Sequence, residues 1–233
     1  NPKAIEALIQ LLGTTQNDSI RWQAAESLEK IDPGNPKAIE ALIQLLGTTQ
    51  NDSIRWQAAE SLEKIDPGNP KVIEALIQLL GTTEDDSTRR QAALSLGKIG
   101  TGNPKVIEAL IKVLETTQNE DIRWQATLSL EKIGTSHPKA IEGLTELLRT
   151  SRNVPARQQA AAILEKIGIG NPKAIKGLRE LLRTHHNAYT RLLVTELLPK
   201  ITALTKEQTQ QAEDDLLLFL QVTRVKETVD RHG

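Results

Sequence analysis

Apolar residues fall along this chain in two alternating helical patterns, and the pair returns every 34 residues. In the first segment Ala4, Ile5, Leu8, Ile9, Leu11 and Leu12 keep helical spacing with a wide apolar face. Asn1 reads as its N-cap and Pro2 as its first helical residue, where a missing N–H is harmless. Thr14 to Asn17 form a short polar connection. Ile20, Ala24, Leu28 and Ile31 then lie on one stripe of a second helix. Its N-cap is expected at Asp18, with Asp52 and Asp86 equivalent, and at the residue before Pro155 in the fifth unit. Asp32-Pro33-Gly34, or Gly100-Thr101-Gly102 in the third unit, ends it.

The period is marked by Asn1-Pro2, Asn35-Pro36, Asn69-Pro70, Asn103-Pro104, His137-Pro138 and Asn171-Pro172, which gives six units over 1–204. The first two, 1–34 and 35–68, are identical, and later units drift steadily, as duplication leaves them. Neither helix can bury its apolar face alone, so neighbouring units must stack to make a core. The pattern predicts an all-α, right-handed α-solenoid of six hairpins without strands. At roughly 8–10 Å per helix layer it would be about 50–60 Å long. The second helix, Ile20-Arg21-Trp22-Gln23-Ala24-Ala25-Glu26-Ser27-Leu28-Glu29-Lys30-Ile31, resembles the HEAT pattern of aliphatic-Arg, small residues, then Leu and Ile. It is similar to short bacterial HEAT-like repeats, including those of phycobilin-lyase-type proteins and arrays attached to NACHT-type signalling NTPases. A tetratricopeptide array shares the period, but its Trp, Gly-Tyr and Ala-Phe pattern is missing.

Composition narrows the chemistry. The chain has no Cys, which excludes disulfides, thiolate metal sites and cysteine nucleophiles. Net charge is −1, which argues against general nucleic-acid or membrane-surface binding unless charge is locally segregated. No run approaches the roughly 18 apolar residues of a membrane span and no signal peptide opens the chain, so a cytoplasmic protein is expected. With no Met at all, residue 1 is not expected to be a natural start, and the array reads as truncated at its N-terminus.

Segregation is present. Units one and two each carry a net −2, whereas unit five is +2 and unit six +4. Arg149, Arg152, Arg179 and Arg183, near the ends of first helices, make much of that difference and form a candidate anion or nucleic-acid patch. Cations there also complement the helix macrodipole.

Two positions of the second helix recur. Arginine stands at 21, 55, 89, 123, 157 and 191, beside the core stripe, and is expected to bond loop carbonyls or carboxylates between adjacent hairpins. The next position holds the chain's three tryptophans, Trp22, Trp56 and Trp124, and elsewhere Arg90, Gln158 and Leu192. On a helical wheel it faces away from the Ile20 stripe, among Glu26 and Glu29, and those glutamates' row turns apolar at Leu94 and Leu128. The resemblance implies that second helices line a concave surface. Trp22, Trp56, Arg90, Leu94, Trp124, Leu128 and Gln158 are therefore the candidate partner-binding residues.

No catalytic or metal-ligating constellation stands out. His185 and His186 are adjacent in a loop without ligand spacing, and Gly168-Ile169-Gly170 is a repeat boundary rather than a phosphate-cradling turn. No cofactor is expected. The tail 205–233 leaves the repeat: Thr205 with Gln208 matches a capping box, and Leu216 to Leu220 with Val222 make an apolar run. It is expected to form a helical cap over unit six, where Leu192 and Leu193 replace polar residues and Pro199 should break or kink the helix. The expected function is a protein-binding scaffold or sensor solenoid within a larger signalling protein. The alternatives are nucleic-acid binding through units five and six, and a HEAT-like enzyme such as a phycobilin lyase or DNA glycosylase.

Overall fold

The computed structural model describes residues 2–135 and 137–202. Twelve helices account for them, with no strand among the described residues: α1 (Pro2–Thr14), α2 (Asp18–Ile31), α3 (Pro36–Thr48), α4 (Asp52–Ile65), α5 (Pro70–Thr82), α6 (Asp86–Ile99), α7 (Pro104–Thr116), α8 (Glu120–Ile133), α9 (Pro138–Thr150), α10 (Val154–Ile167), α11 (Pro172–Thr184) and α12 (Ala188–Ile201). Each 34-residue unit is one helical hairpin, as the periodicity predicts. The cap expected over 205–233 lies outside the described residues.

Helix boundaries follow local chemistry. Prolines open the first helices, and the side chains of Asn35, Asn69, Asn103, His137 and Asn171 accept hydrogen bonds from the following amides. The second helices begin one residue earlier than the sequence suggests. Asn17, Asn51, Asp85, Asn153 and Asn187 are the N-caps, so Asp18, Asp52 and Asp86 are first-turn residues and Pro155 is the second helical residue. The Asn17 carboxamide reaches the amides of both Ser19 and Ile20, which a side chain one position later cannot do. The carboxylates displaced into the first turn complement the positive end of the helix dipole. Pro199 does not end its helix either: α12 runs on to Ile201.

The chain forms two compact bodies, 1–133 and 134 onward. In the N-terminal body the α1–α8 hairpins stack in order, first helices against first and second against second, and the second-helix layer is the more closely packed. Small residues allow the approach: Ala24, Ala25, Ala58, Ala59, Ala92, Ala93, Ala126, Ser61, Ser95 and Ser129 are all buried. Side-chain hydroxyls stitch the layers, with Ser95 donating to Glu63 at 2.8 Å and Ser129 to the Ala93 carbonyl at 2.9 Å. At the hairpin boundary Gly34, at φ +81°, sends its amide to the Ile65 carbonyl at 2.7 Å. In the C-terminal body Gly170, at φ +67°, does the same to Ile201. There α9–α12 form two hairpins around Leu144, Leu148, Ile163, Leu164, Leu178 and Val194.

The closest approach can be tested at Gly97. A Cβ there would lie 2.6 Å from the Ser129 Cβ and 2.9 Å from its Cα, so α6 and α8 would have to separate. Gly97→Ala is expected to destabilise by about 1–3 kcal/mol, although alanine is the better helix former by about 1 kcal/mol. Gly47→Ala, with open space around it, should stabilise by up to about 1 kcal/mol. Thermal or urea unfolding of the two variants decides the matter, and equal effects would refute this packing account.

Candidate functional site

The recurring arginines at 55, 89, 123 and 157 make hydrogen bonds within their own hairpins, where the sequence suggested bonds between hairpins. Arg55 donates to the Thr49 carbonyl at 2.6 Å and to Asp52 at 2.8 Å, and Arg157 donates to the Ser151 carbonyl at 2.6 Å. Arg123 is fully buried, donating to the Thr117 carbonyl and pairing with Glu120. Each fastens its own second helix to the loop that precedes it. The orphan carbonyls at the end of a first helix need a donor, and the guanidinium reaches them from one turn inside the next helix. In the C-terminal body Arg157 also lies 5.7 Å from the centre of the Tyr189 ring.

The adjacent position points outward from the second-helix layer. Trp22 and Trp124 are 40 % and 58 % exposed. Trp56 is half-buried and stacked on Trp22, with ring centroids 6.1 Å apart and planes inclined by 22°. Arg90, exposed, takes the place of a tryptophan on α6 between them. One turn further along, Leu94 is half-buried and Leu128 is exposed, in line with Glu26 and Glu60. All six candidate residues from Trp22 to Leu128 therefore share one layer of one body. Gln158 belongs to the C-terminal body, where its amide donates to the Tyr189 hydroxyl at 2.6 Å.

Carboxylates frame the aromatic row. Asp18, Asp52, Asp86 and Glu120 precede it by one helical turn. Asp18 and Asp86 accept from the neutral amides of Asn51, at 2.6 Å, and Asn119, at 2.7 Å. On the other side Glu26 pairs with Lys30 at 2.7 Å, and the ammonium's hydrogen bond and charge hold the carboxyl below its usual range. Lys64 contacts Glu60 at 3.1 Å and Glu29 at 3.6 Å. Burial pulls its ammonium down, but the two carboxylates outweigh that and hold it above the ordinary lysine range. Sequence reasoning missed a second network beneath this surface. The buried Glu63 carboxylate meets Lys98 at 2.7 Å and accepts from Ser95. The recurring mid-helix serine at 27, 61, 95 and 129 was its one visible signal.

The four arginines of the basic patch lie in the C-terminal body, in mixed surroundings. Arg149 pairs with Glu146 through two nitrogens, and that bond and charge raise its pKa. It lines a groove of about 440 Å³ together with Glu142, Glu146 and Glu180. Arg179 and Arg183 line another, of about 600 Å³, with Lys176 and Glu180. Arg152 is exposed in the loop before α10.

Two outcomes test the tryptophan geometry. The Trp22–Trp56 stack should give an exciton couplet in far-ultraviolet circular dichroism that disappears in either Trp22→Phe or Trp56→Phe. Trp124→Ala should shift stability by no more than about 0.5 kcal/mol, as surface substitutions do. Trp56→Ala should cost more, because its ring is half-buried and stacked.

The comparison with protein families agrees with this architecture. A family model described as HEAT repeats matches residues 1–63, 64–131 and 107–199. No curated protein matches the chain. Among solved structures the chain is similar to YibA from Escherichia coli, at 20 % identity over 82 % of this chain and 68 % of that one, with a TM-score of 0.45. It is also similar to a chain of the CpcE–CpcF complex of phycocyanin lyase from Nostoc sp. PCC7120, at 20 % identity over 70 % and 99 %, with a TM-score of 0.38. With the hairpin period, the capping pattern and the second-helix arginine recurring through the same residues that the family model matches, the chain belongs to the HEAT-repeat family.

Proposed function

We propose that this chain is a binding scaffold rather than a catalyst, and that it docks a protein partner on the second-helix layer of its N-terminal body. The observation that supports this most is Trp124. A ring of that size left 58 % exposed adds little to the core, yet it stands in line with Trp22 and Trp56 and beside Leu128. Scattered exposed apolar residues are ordinary, whereas an aligned set on one layer is the usual mark of an interaction surface. Tryptophan is also the residue most enriched among interface hot spots. Such a scaffold would suit a larger signalling protein, in keeping with the arrays that the second-helix pattern resembles. Nucleic-acid binding through the C-terminal body has less support, because Glu142, Glu146 and Glu180 interleave with its arginines.

Trp124→Ala is expected to weaken partner binding by about 2 kcal/mol or more, roughly thirtyfold, while leaving thermal stability nearly unchanged. Capture of the partner from native lysate, with nuclease-treated controls, followed by titration of wild-type and variant protein, measures it. Equal affinity of the two would remove this surface from the reading, and loss of capture on nuclease treatment would favour the nucleic-acid alternative.

A further inference from the structure

Each first helix turns one stripe toward the hairpin that follows, and one position of that stripe is glutamate in five units, at Glu6, Glu40, Glu74, Glu108 and Glu142. In the N-terminal body a lysine near the start of the next first helix meets it, Lys37 on Glu6 at 3.5 Å and Lys71 on Glu40 at 3.0 Å. In the C-terminal body Glu142 of α9 and Lys173 of α11 line one groove. On α11 the sign inverts. The sixth occurrence is Lys176, and further along the same stripe Arg179 replaces Ile9, Ile43, Ile77 and Ile111, while Arg183 replaces Gly13, Gly47 and Gly81. These three cations share a groove of about 600 Å³ with one carboxylate, Glu180. A seventh hairpin of the ordinary kind would set its own lysine against Lys176, and like charges face to face are unfavourable.

The same period, continued past the sixth unit, inverts the other half of the pair. Lysine stands at 3, 37, 71, 105, 139 and 173, and the next step of 34 residues reaches Glu207. The step that takes Gln78 of α5 and Glu180 of α11, both lining the grooves against the preceding first helix, to the next unit reaches Asp214. The chain also leaves α12 in the right place, because the Ile201 carbonyl accepts from the amide of Gly170, which lines the α11 groove. Apolar surface remains for an occupant: Ile175 and Leu182 are half-buried, whereas the same positions on α9, Ile141 and Leu148, are 1 % and 0 % exposed. We propose that residues 205–218 of this chain occupy the α11 stripe in the register of a seventh first helix, with Glu207 paired to Lys176 and Asp214 set against Arg179 and Arg183. The reversed pair closes the array, since it accepts this segment and repels another ordinary hairpin.

This inference is independent of the tryptophan surface. Carbodiimide coupling of the full chain, mapped by mass spectrometry, tests it, because a zero-length reagent joins only a lysine and a carboxylate already in contact. The monomer should yield a Lys176–Glu207 cross-link alongside Lys71–Glu40, which serves as the internal control. Glu207→Lys and Lys176→Glu should each abolish the first and leave the second. The double exchange, Lys176→Glu with Glu207→Lys, should restore a coupling between the same two positions. Hydrogen exchange over 205–218 should rise several-fold in each single variant and return to the wild-type level in the double exchange. Coupling of Lys176 to Glu180 alone, or to no residue while Lys71–Glu40 forms, overturns the proposal. So does a Lys176–Glu207 cross-link found only in covalent dimers, which would give the groove to the same segment of a second copy. Binding of a single-stranded oligonucleotide that Lys176→Gln abolishes, with no Lys176–Glu207 coupling in its absence, would assign the groove to nucleic acid and equally overturn it.

Discussion

A 34-residue helical hairpin has more apolar surface than it can cover by folding on itself, and everything else in this molecule follows from covering the remainder with a neighbouring hairpin. The first two repeats make the point, because their sequences are identical. Ile54 and Ile65 of the second are 3 % and 2 % exposed, whereas the same residues in the first, Ile20 and Ile31, are 39 % and 46 % exposed. Burying an isoleucine fully contributes about 1.5–3 kcal/mol. Contacts between hairpins are therefore as much a part of the core as contacts within them.

That requirement sorts the positions of the second helix. The stripe facing the neighbouring hairpins must be apolar or small, and where it is smallest, at Gly97 against Ser129, the helices come closest. Its margin must close the hairpin's own loop, a task that falls to the arginines at 55, 123 and 157. The outward position is less constrained by packing. Trp, Arg, Gln and Leu all occur there, and five of the seven candidate binding residues lie at this position, with Leu94 and Leu128 one turn further along.

Charge is distributed along the stack with similar freedom. Surface ion pairs such as Lys30–Glu26 contribute little to stability. Their sign could therefore drift between repeats without cost to the fold, leaving an acidic N-terminal body and a basic pair of C-terminal hairpins.

Hairpin count, period and core stripe were legible in the amino-acid sequence, because helical spacing and Asn-Pro boundaries are local and repeat six times. The arginine's structural role was legible too, from its recurrence beside the core. Its partner was not, since whether a guanidinium reaches its own loop or the next hairpin depends on how the helices cross. The N-cap was misplaced by one residue because Asn17 and Asp18 are both good caps, and only the turn geometry chooses between them. The tryptophans show the division most clearly. Sequence placed all three at one outward position, yet Trp22 and Trp56 stack while Trp124 stands apart. Identical local sequences around residues 20 and 54 are equally helical, but burial belongs to the pair of hairpins that meet. No single repeat encodes it.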